Sequence, residues 1–123
     1  MKLVIKGRFE GLNEYINACR RNPHEGAKMK NRDEQTVLWF AKAQLKKIKT
    51  PCRMRYRWFE RNRKRDMDNV SSYGRKVIQD ALVHGGYLPG DGWNHIIGFS
   101  DEFYVDKKDP RIEVEIEEVK NES

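Results

Sequence analysis

The chain has 123 residues, enough for one domain with a modest core, and 36% of them are charged against 37% apolar, the profile of a domain with a strongly charged surface. No apolar run is long enough to cross a bilayer, and Met1 leads directly into Lys2-Leu3-Val4-Ile5-Lys6, too short for a secretory h-region. Cys19 and Cys52 have neither ligand nor redox spacing, so two reduced thiols in a cytoplasmic protein are expected.

The first predicted element is a strand over Lys2–Phe9, with Leu3 and Ile5 on one face. Leu12, Tyr15, Ile16 and Cys19 then fall at helical spacing, ending before Pro23. Residues 22–32 are polar, carry Gly26 with Lys28, Lys30 and Arg32, and read equally as loop or helix. From Glu34 to Lys49 the set Val37, Leu38, Ala41, Leu45 and Ile48 repeats with the helical period. Trp39 lies on the opposite side among Lys42, Lys46 and Lys49, either at the edge of the core or against a partner chain or DNA.

Pro51 opens the clearest strand, with Cys52, Met54, Tyr56 and Trp58 alternating against Arg53, Arg55 and Arg57. A helix over Val70–Val83 buries Val70, Tyr73, Val77, Ile78, Ala81 and Leu82 and stops at Gly85-Gly86. Tyr87 to Gly92 is turn chemistry, and Ile96 to Val105 is a third strand region. In the last strand Ile112, Val114 and Ile116 alternate with Glu113, Glu115 and Glu117. If it neighbours the arginine strand, the two charged rows pair across one exposed face, a reading favoured over DNA contact by the arginines. The organisation expected is one α+β domain over residues 1–120, a small mixed sheet with helices, followed by a solvated tail at 121–123.

The net charge of +6 hides an asymmetry. Residues 1–65 hold 19 Lys and Arg against 6 Asp and Glu, a surplus of +13, while residues 66–123 hold 6 against 13, a balance of −7. A long polyanion drawn to the first half is one reading; pairing of the two halves inside the fold is the other, and the two are compatible. The boundary falls within Arg61-Asn62-Arg63-Lys64-Arg65-Asp66-Met67-Asp68-Asn69, where a run of cations ends in two aspartates spaced i, i+2. In an extended segment that spacing puts both carboxylates on one side. A hard cation such as Mg²⁺ takes one or two carboxylates plus substrate phosphate, which the preceding cations would hold. The competing reading makes Asp68 or Asn69 a helix N-cap.

Beyond that stretch come Lys76, Asp80-Ala81-Leu82 and, after a glycine-containing turn, Asp91. The ordered set resembles the RusA family of Holliday junction resolvases, small metal-dependent dimers that cut four-way DNA junctions. Phage and prophage members look similar over nearly the whole chain, including Leu12-Asn13-Glu14-Tyr15-Ile16-Asn17-Ala18, Gly26-Ala27-Lys28-Met29-Lys30 and Gly98-Phe99-Ser100-Asp101-Glu102-Phe103. The resemblance implies that Asp66, Asp68 and Asp91 hold Mg²⁺, with Mn²⁺ as a substitute, and that Lys76 neutralises the developing oxyanion. Two departures stand out: Gly90 replaces the first of the family's terminal pair of acids, and Lys76 follows Asp68 by eight residues where shorter members have four.

The activity implied is hydrolysis of a phosphodiester in branched DNA during recombination and repair, by a homodimer in a bacterial or phage-infected cell. The alternatives are a non-catalytic, structure-selective DNA-binding protein and a general branched-DNA nuclease. Lys28, Lys30, Arg61, Arg63, Lys64 and Arg65 are the expected DNA contacts. Trp39 and the Glu34–Lys49 helix are the expected dimer interface, since Trp39 lies outside the buried stripe. Asp80 is expected to pair with Lys76 one turn away, and His84 to face the helix C-terminus. His24 and His95 lack partners as metal ligands, and Asp101 with Glu102 is expected in a solvated turn.

Overall fold

The protein is described here by a computed structural model covering residues 1–120; the tail expected at 121–123 lies outside the described residues. Chain order is β1 (Lys2–Lys6), α1 (Leu12–Arg21), α2 (Pro23–Gln44), β2 (Cys52–Glu60), α3 (Met67–His84), β3 (Ile96–Val105) and β4 (Arg111–Glu118). The strands form one mixed sheet in the order β1-β4-β2-β3. β4 runs antiparallel to both β1 and β2, whereas β2 and β3 are parallel. Parallel neighbours need a long crossover, and α3 is that crossover. This is the α+β domain expected from the pattern of elements.

The period-2 pattern decides which face is buried. Leu3 and Ile5 of β1, Cys52, Met54, Tyr56 and Trp58 of β2, and Ile112, Val114 and Ile116 of β4 all lie in the core. The other face carries the charged rows in register, with Arg55 opposite Glu115 and Arg57 opposite Glu113. The closest ion pair between the arginines of β2 and the glutamates of β4 is diagonal: Arg57 donates two hydrogen bonds to Glu115, at 3.0 and 3.4 Å. The arginine row therefore has internal partners, as the alternation implied.

The helices cover the apolar face. α3 buries all six residues expected of it, and Gly74 brings its backbone against the Trp58 ring. Gly85 caps the helix, and Gly86 at φ +82° turns the chain away, a conformation glycine adopts without steric cost.

Three boundaries and one buried face differ from the sequence expectation, the simplest being α3, which begins at Met67 rather than Val70. β1 stops at Lys6, because Gly7 at φ +87° turns the chain and donates to the Pro110 carbonyl at 2.9 Å. On α1 the buried residue is Ala18 rather than Ile16, which is exposed. The long helix runs from Pro23 to Gln44 rather than from Glu34 to Lys49. Asn22 accepts from the His24 amide and Pro23 occupies the first turn, so the ambiguous polar stretch is helix. Leu45 and Ile48 are buried from an extended segment, where the Ile48 amide donates to Tyr87 O at 2.9 Å. Lys46 and Lys49 consequently share no helical stripe with Trp39, which is 76% exposed.

Candidate active site

Asp66 and Asp68 stand where α3 begins, six and eight residues beyond the end of β2. Asp66 is the N-cap, with extended backbone at φ −65° and ψ 150°, and its carboxylate makes no capping bond. Asp68 already belongs to the first helical turn and accepts one hydrogen bond, 2.7 Å from Ser72 Oγ. The pair is thus not carried on one extended segment, as its spacing suggested; it straddles a helix start. Both carboxylates are exposed and without an ion-pair partner among the described residues. A helix N-terminus favours negative charge, which suits acids at this position. Neither acid acts as a side-chain cap, so the capping role does not account for them.

Asn69 has a different task. Its Oδ1 accepts from the Asn13 amide at 2.8 Å, supplying the first turn of α1 with an acceptor, and Gly11 lies close against its amide group. The last member of Asp66-Met67-Asp68-Asn69 therefore locks α1 onto the start of α3.

The preceding cations divide into two kinds. Arg65 is half-buried, donates to the Phe9 carbonyl at 2.9 Å and lies 3.9 Å from Glu14, so it braces the turn. Arg61, Arg63 and Lys64 are exposed and have no ion pair among the described residues. Of these, Arg63 borders, with Glu60, Asn62 and Arg65, an open cleft of about 700 Å³ beside Asp66, whose walls are Met67 and Val70 of α3 and Phe103 to Val105 of β3.

Asp91 is elsewhere. In register Cys52 pairs with Ile96 and Glu60 with Val105, so the chain enters β3 at the end of the sheet where β2 begins. Asp91 precedes that entry, one residue before Gly92, whose carbonyl accepts from His95 and Ile96. Asp66 and Asp68 follow the other end of β2. Between the two sets lies α3, with 18 residues and a length of about 27 Å. One chain does not bring the three acids together, and among the described residues no three His, Cys, Asp or Glu side chains converge as a metal-binding group.

Lys76 is also apart from Asp66 and Asp68. Eight residues beyond Asp68 on one continuous helix, it lies about 12 Å further along and roughly 80° around. Its ammonium pairs with Asp80 at 3.2 Å, the i, i+4 pair expected. Asp80 has a second and closer partner in Lys30, at 2.5 Å, and Lys30 also approaches Glu34 at 3.8 Å. Lys30, expected as a phosphate contact, thus also joins α2 to α3. Burial alone raises the Asp80 pKa, but hydrogen bonds from Lys30 and Lys76 outweigh it and hold the carboxyl below its ordinary value. Lys28 on the same helix remains exposed with no ion pair among the described residues.

Two further positions need correcting. His84 pairs with Glu34, 2.7 Å from Nδ1 to Oε1, rather than only facing the helix end. Asp101 and Glu102 lie inside β3, not in a turn. Asp101 accepts from Trp58 Nε1 at 2.9 Å and from Arg75 at 2.6 Å, and the Arg75 guanidinium stacks over Phe99 at 4.4 Å. This bridge from sheet to helix had no local signal, since its members are far apart in sequence.

Fold and site together define a small α+β domain that carries a cationic run into two exposed carboxylates, the first of them at the mouth of a cleft. The model of one family, Endodeoxyribonuclease RusA, matches residues 12–117. The chain belongs to the RusA endodeoxyribonuclease family, and the match runs from the start of α1 into β4. No curated protein matches it. Among the described residues, no helix is long and apolar enough to cross a membrane.

Proposed function

We propose that the chain is a metal-dependent endodeoxyribonuclease that resolves four-way DNA junctions in recombination and repair, working as a two-fold homodimer. The observation that carries this reading is the placement of exposed Arg61, Arg63 and Lys64 directly before Asp66 and Asp68, in a chain of this family. The cations bind the phosphodiester backbone, and the two acids face the phosphate so held.

The donor set fits Mg²⁺ or Mn²⁺. Both carboxylates are exposed, Asp66 makes no side-chain capping bond, and Asp68 has one donor among the described residues, so oxygens remain available for a hard cation that also takes phosphate and water. When bound, the ion supplies a water of lowered pKa and polarises the phosphate. The protein's own contribution is to orient the acids through the rigid start of α3, held by Asn69 against α1, and to neutralise the flanking phosphates. Lys76 is left out of this reading, because it is distant along the helix and engaged by Asp80.

Asp91 enters from a second copy. A two-fold axis that sets the chains antiparallel brings the Asp91 end of one α3 to the Asp66 end of the other, and completes two identical sites. β3 supports such an arrangement: it is an edge strand of 10 residues with Ile97 and Phe99 exposed, and Trp93 just before it is 95% exposed. Trp39 on α2, 76% exposed, is the other exposed tryptophan of this kind, but Trp93 lies two residues from Asp91 itself.

The test is cleavage of a synthetic four-way junction, beside flap, fork and linear duplex controls, with and without Mg²⁺. Asp66→Asn, Asp68→Asn and Asp91→Asn should each abolish cleavage and leave binding intact or tighter, since each removes a metal ligand and some repulsion of phosphate. Near-normal cleavage by any one of them removes that residue from the site. Tight metal-indifferent binding without cleavage by the wild type would instead favour a non-catalytic junction binder.

A further inference from the structure

We propose that the cleft beside Asp66 receives a single nucleobase withdrawn from the stack, adjacent to the phosphate to be cut. The inference rests on the DNA-cutting reading and adds to it the conformation in which the substrate is held. It starts from the sheet register. Phe103 and Val105 pair with Trp58 and Glu60, so they point to the helix-covered face. At that end of β3 the cover is incomplete: Val105 is 50% exposed, and Met67 across the cleft is 63% exposed. Val70 and Phe103 form the deeper wall.

These apolar groups lie beside Arg63, which has no ion pair among the described residues; Arg65 and the carboxylates of Glu60 and Asp66 line the same cleft. Arg63 lines the cleft with Asn62, and Arg61 and Lys64 adjoin them in sequence. An apolar wall beside Arg63 calls for a ligand with a flat apolar body and an attached anion. One nucleotide of a strand has both, with its base against Met67, Phe103 and Val105 and its phosphate against Arg63. Asn62 Oδ1 is engaged by the Lys64 amide at 3.0 Å, which leaves its amide N–H groups free to meet a base edge. A volume of about 700 Å³ admits one base and its sugar but not a stacked duplex. The base must therefore leave the stack, and that costs least where pairing is already interrupted, at a branch point.

The experiment uses wild-type protein in EDTA, so that binding is observed without cleavage. Four-way junctions carry 2-aminopurine at each nucleotide flanking the crossover in turn, and anisotropy reports binding in parallel. At one position the fluorescence should rise on the order of threefold on binding, as stacking quenching is relieved, with no rise in linear duplex. Met67→Ala combined with Val105→Ala, both at partly exposed positions, should remove most of that rise and weaken junction binding about tenfold, with duplex binding unchanged. Binding with flat fluorescence at every position overturns the proposal alone, as does a rise that the double variant leaves intact. A double variant that loses self-association and keeps the rise assigns the cleft to a second copy and overturns it too. Failure to bind any DNA overturns both this proposal and the reading it rests on.

Discussion

Replacing Asp80 with Asn should destabilise the fold without touching the candidate site. The substitution removes the anionic acceptor for Lys30 at 2.5 Å and for Lys76 at 3.2 Å. The Lys76 side chain is 63% exposed, so its pair contributes only a few tenths of a kcal/mol. Lys30 and Asp80 are 24% and 12% exposed, between the surface regime of about 0–1 kcal/mol and the buried regime of about 3–5 kcal/mol. A loss of about 2 kcal/mol follows, which for a domain of this length is a fall in Tm of about 8 °C near neutral pH. The sign with pH is also determined. Because the folded pKa of Asp80 is depressed, its contribution is fully present above the unfolded value and fades as pH falls through the folded one. Circular-dichroism melts of wild type and Asp80→Asn should therefore converge as pH drops below the ordinary carboxylate range. Lys30→Met, measured alone and with Asp80→Asn, should show coupling of about 1 kcal/mol or more. An unchanged Tm near neutrality, or a deficit that widens on acidification, would refute the reasoning.

Lys28→Ala should reduce the salt dependence of junction binding by about one unit of slope, because one fewer counterion is released. Arg55→Ala should change it much less, since Arg55 faces Glu115 across the sheet; a larger slope change for Arg55, read by anisotropy from low to moderate salt, reverses the ranking. Gly74→Ala should cost about 1–2 kcal/mol net despite alanine's better helix propensity. A Cβ there would sit 2.7 Å from the ring of Trp58, which is fully buried and tethered to Asp101. A variant that melts at or above the wild-type temperature would show that the ring can retreat.

The sheet and α3 were legible in the sequence because their signals are local and periodic. Cys52 to Trp58 and Ile112 to Ile116 alternate without interruption, and the six buried residues of α3 keep one helical face over its whole length. α2 was misjudged because Leu45 and Ile48 fall at helical spacing by coincidence, whereas Asn22-Pro23, the true start signal, lies in a stretch without apolar periodicity. At the site, Asp66, Asp68 and the cations before them sit together because they are neighbours in sequence. Spacing says nothing about which end of the sheet a residue reaches after a crossover, so the separation of Asp91 became visible only with the parallel pairing of β2 and β3. The same limit hid the second partner of Asp80, since Lys30 is 50 residues away.

The account turns on a site shared between two copies, and subunit mixing tests that directly. Asp68→Asn and Asp91→Asn proteins, each inactive alone, are unfolded together, refolded at equal concentration and assayed on a four-way junction with Mg²⁺. If Asp91 acts across the dimer, each mixed dimer holds one site with all three acids and one with neither Asp68 nor Asp91. Random pairing then restores about a quarter of wild-type sites. That recovery is the predicted result. If the mixture stays as inactive as its components while wild type treated in the same way regains cleavage, Asp68 and Asp91 do not act across a dimer, and the account is contradicted.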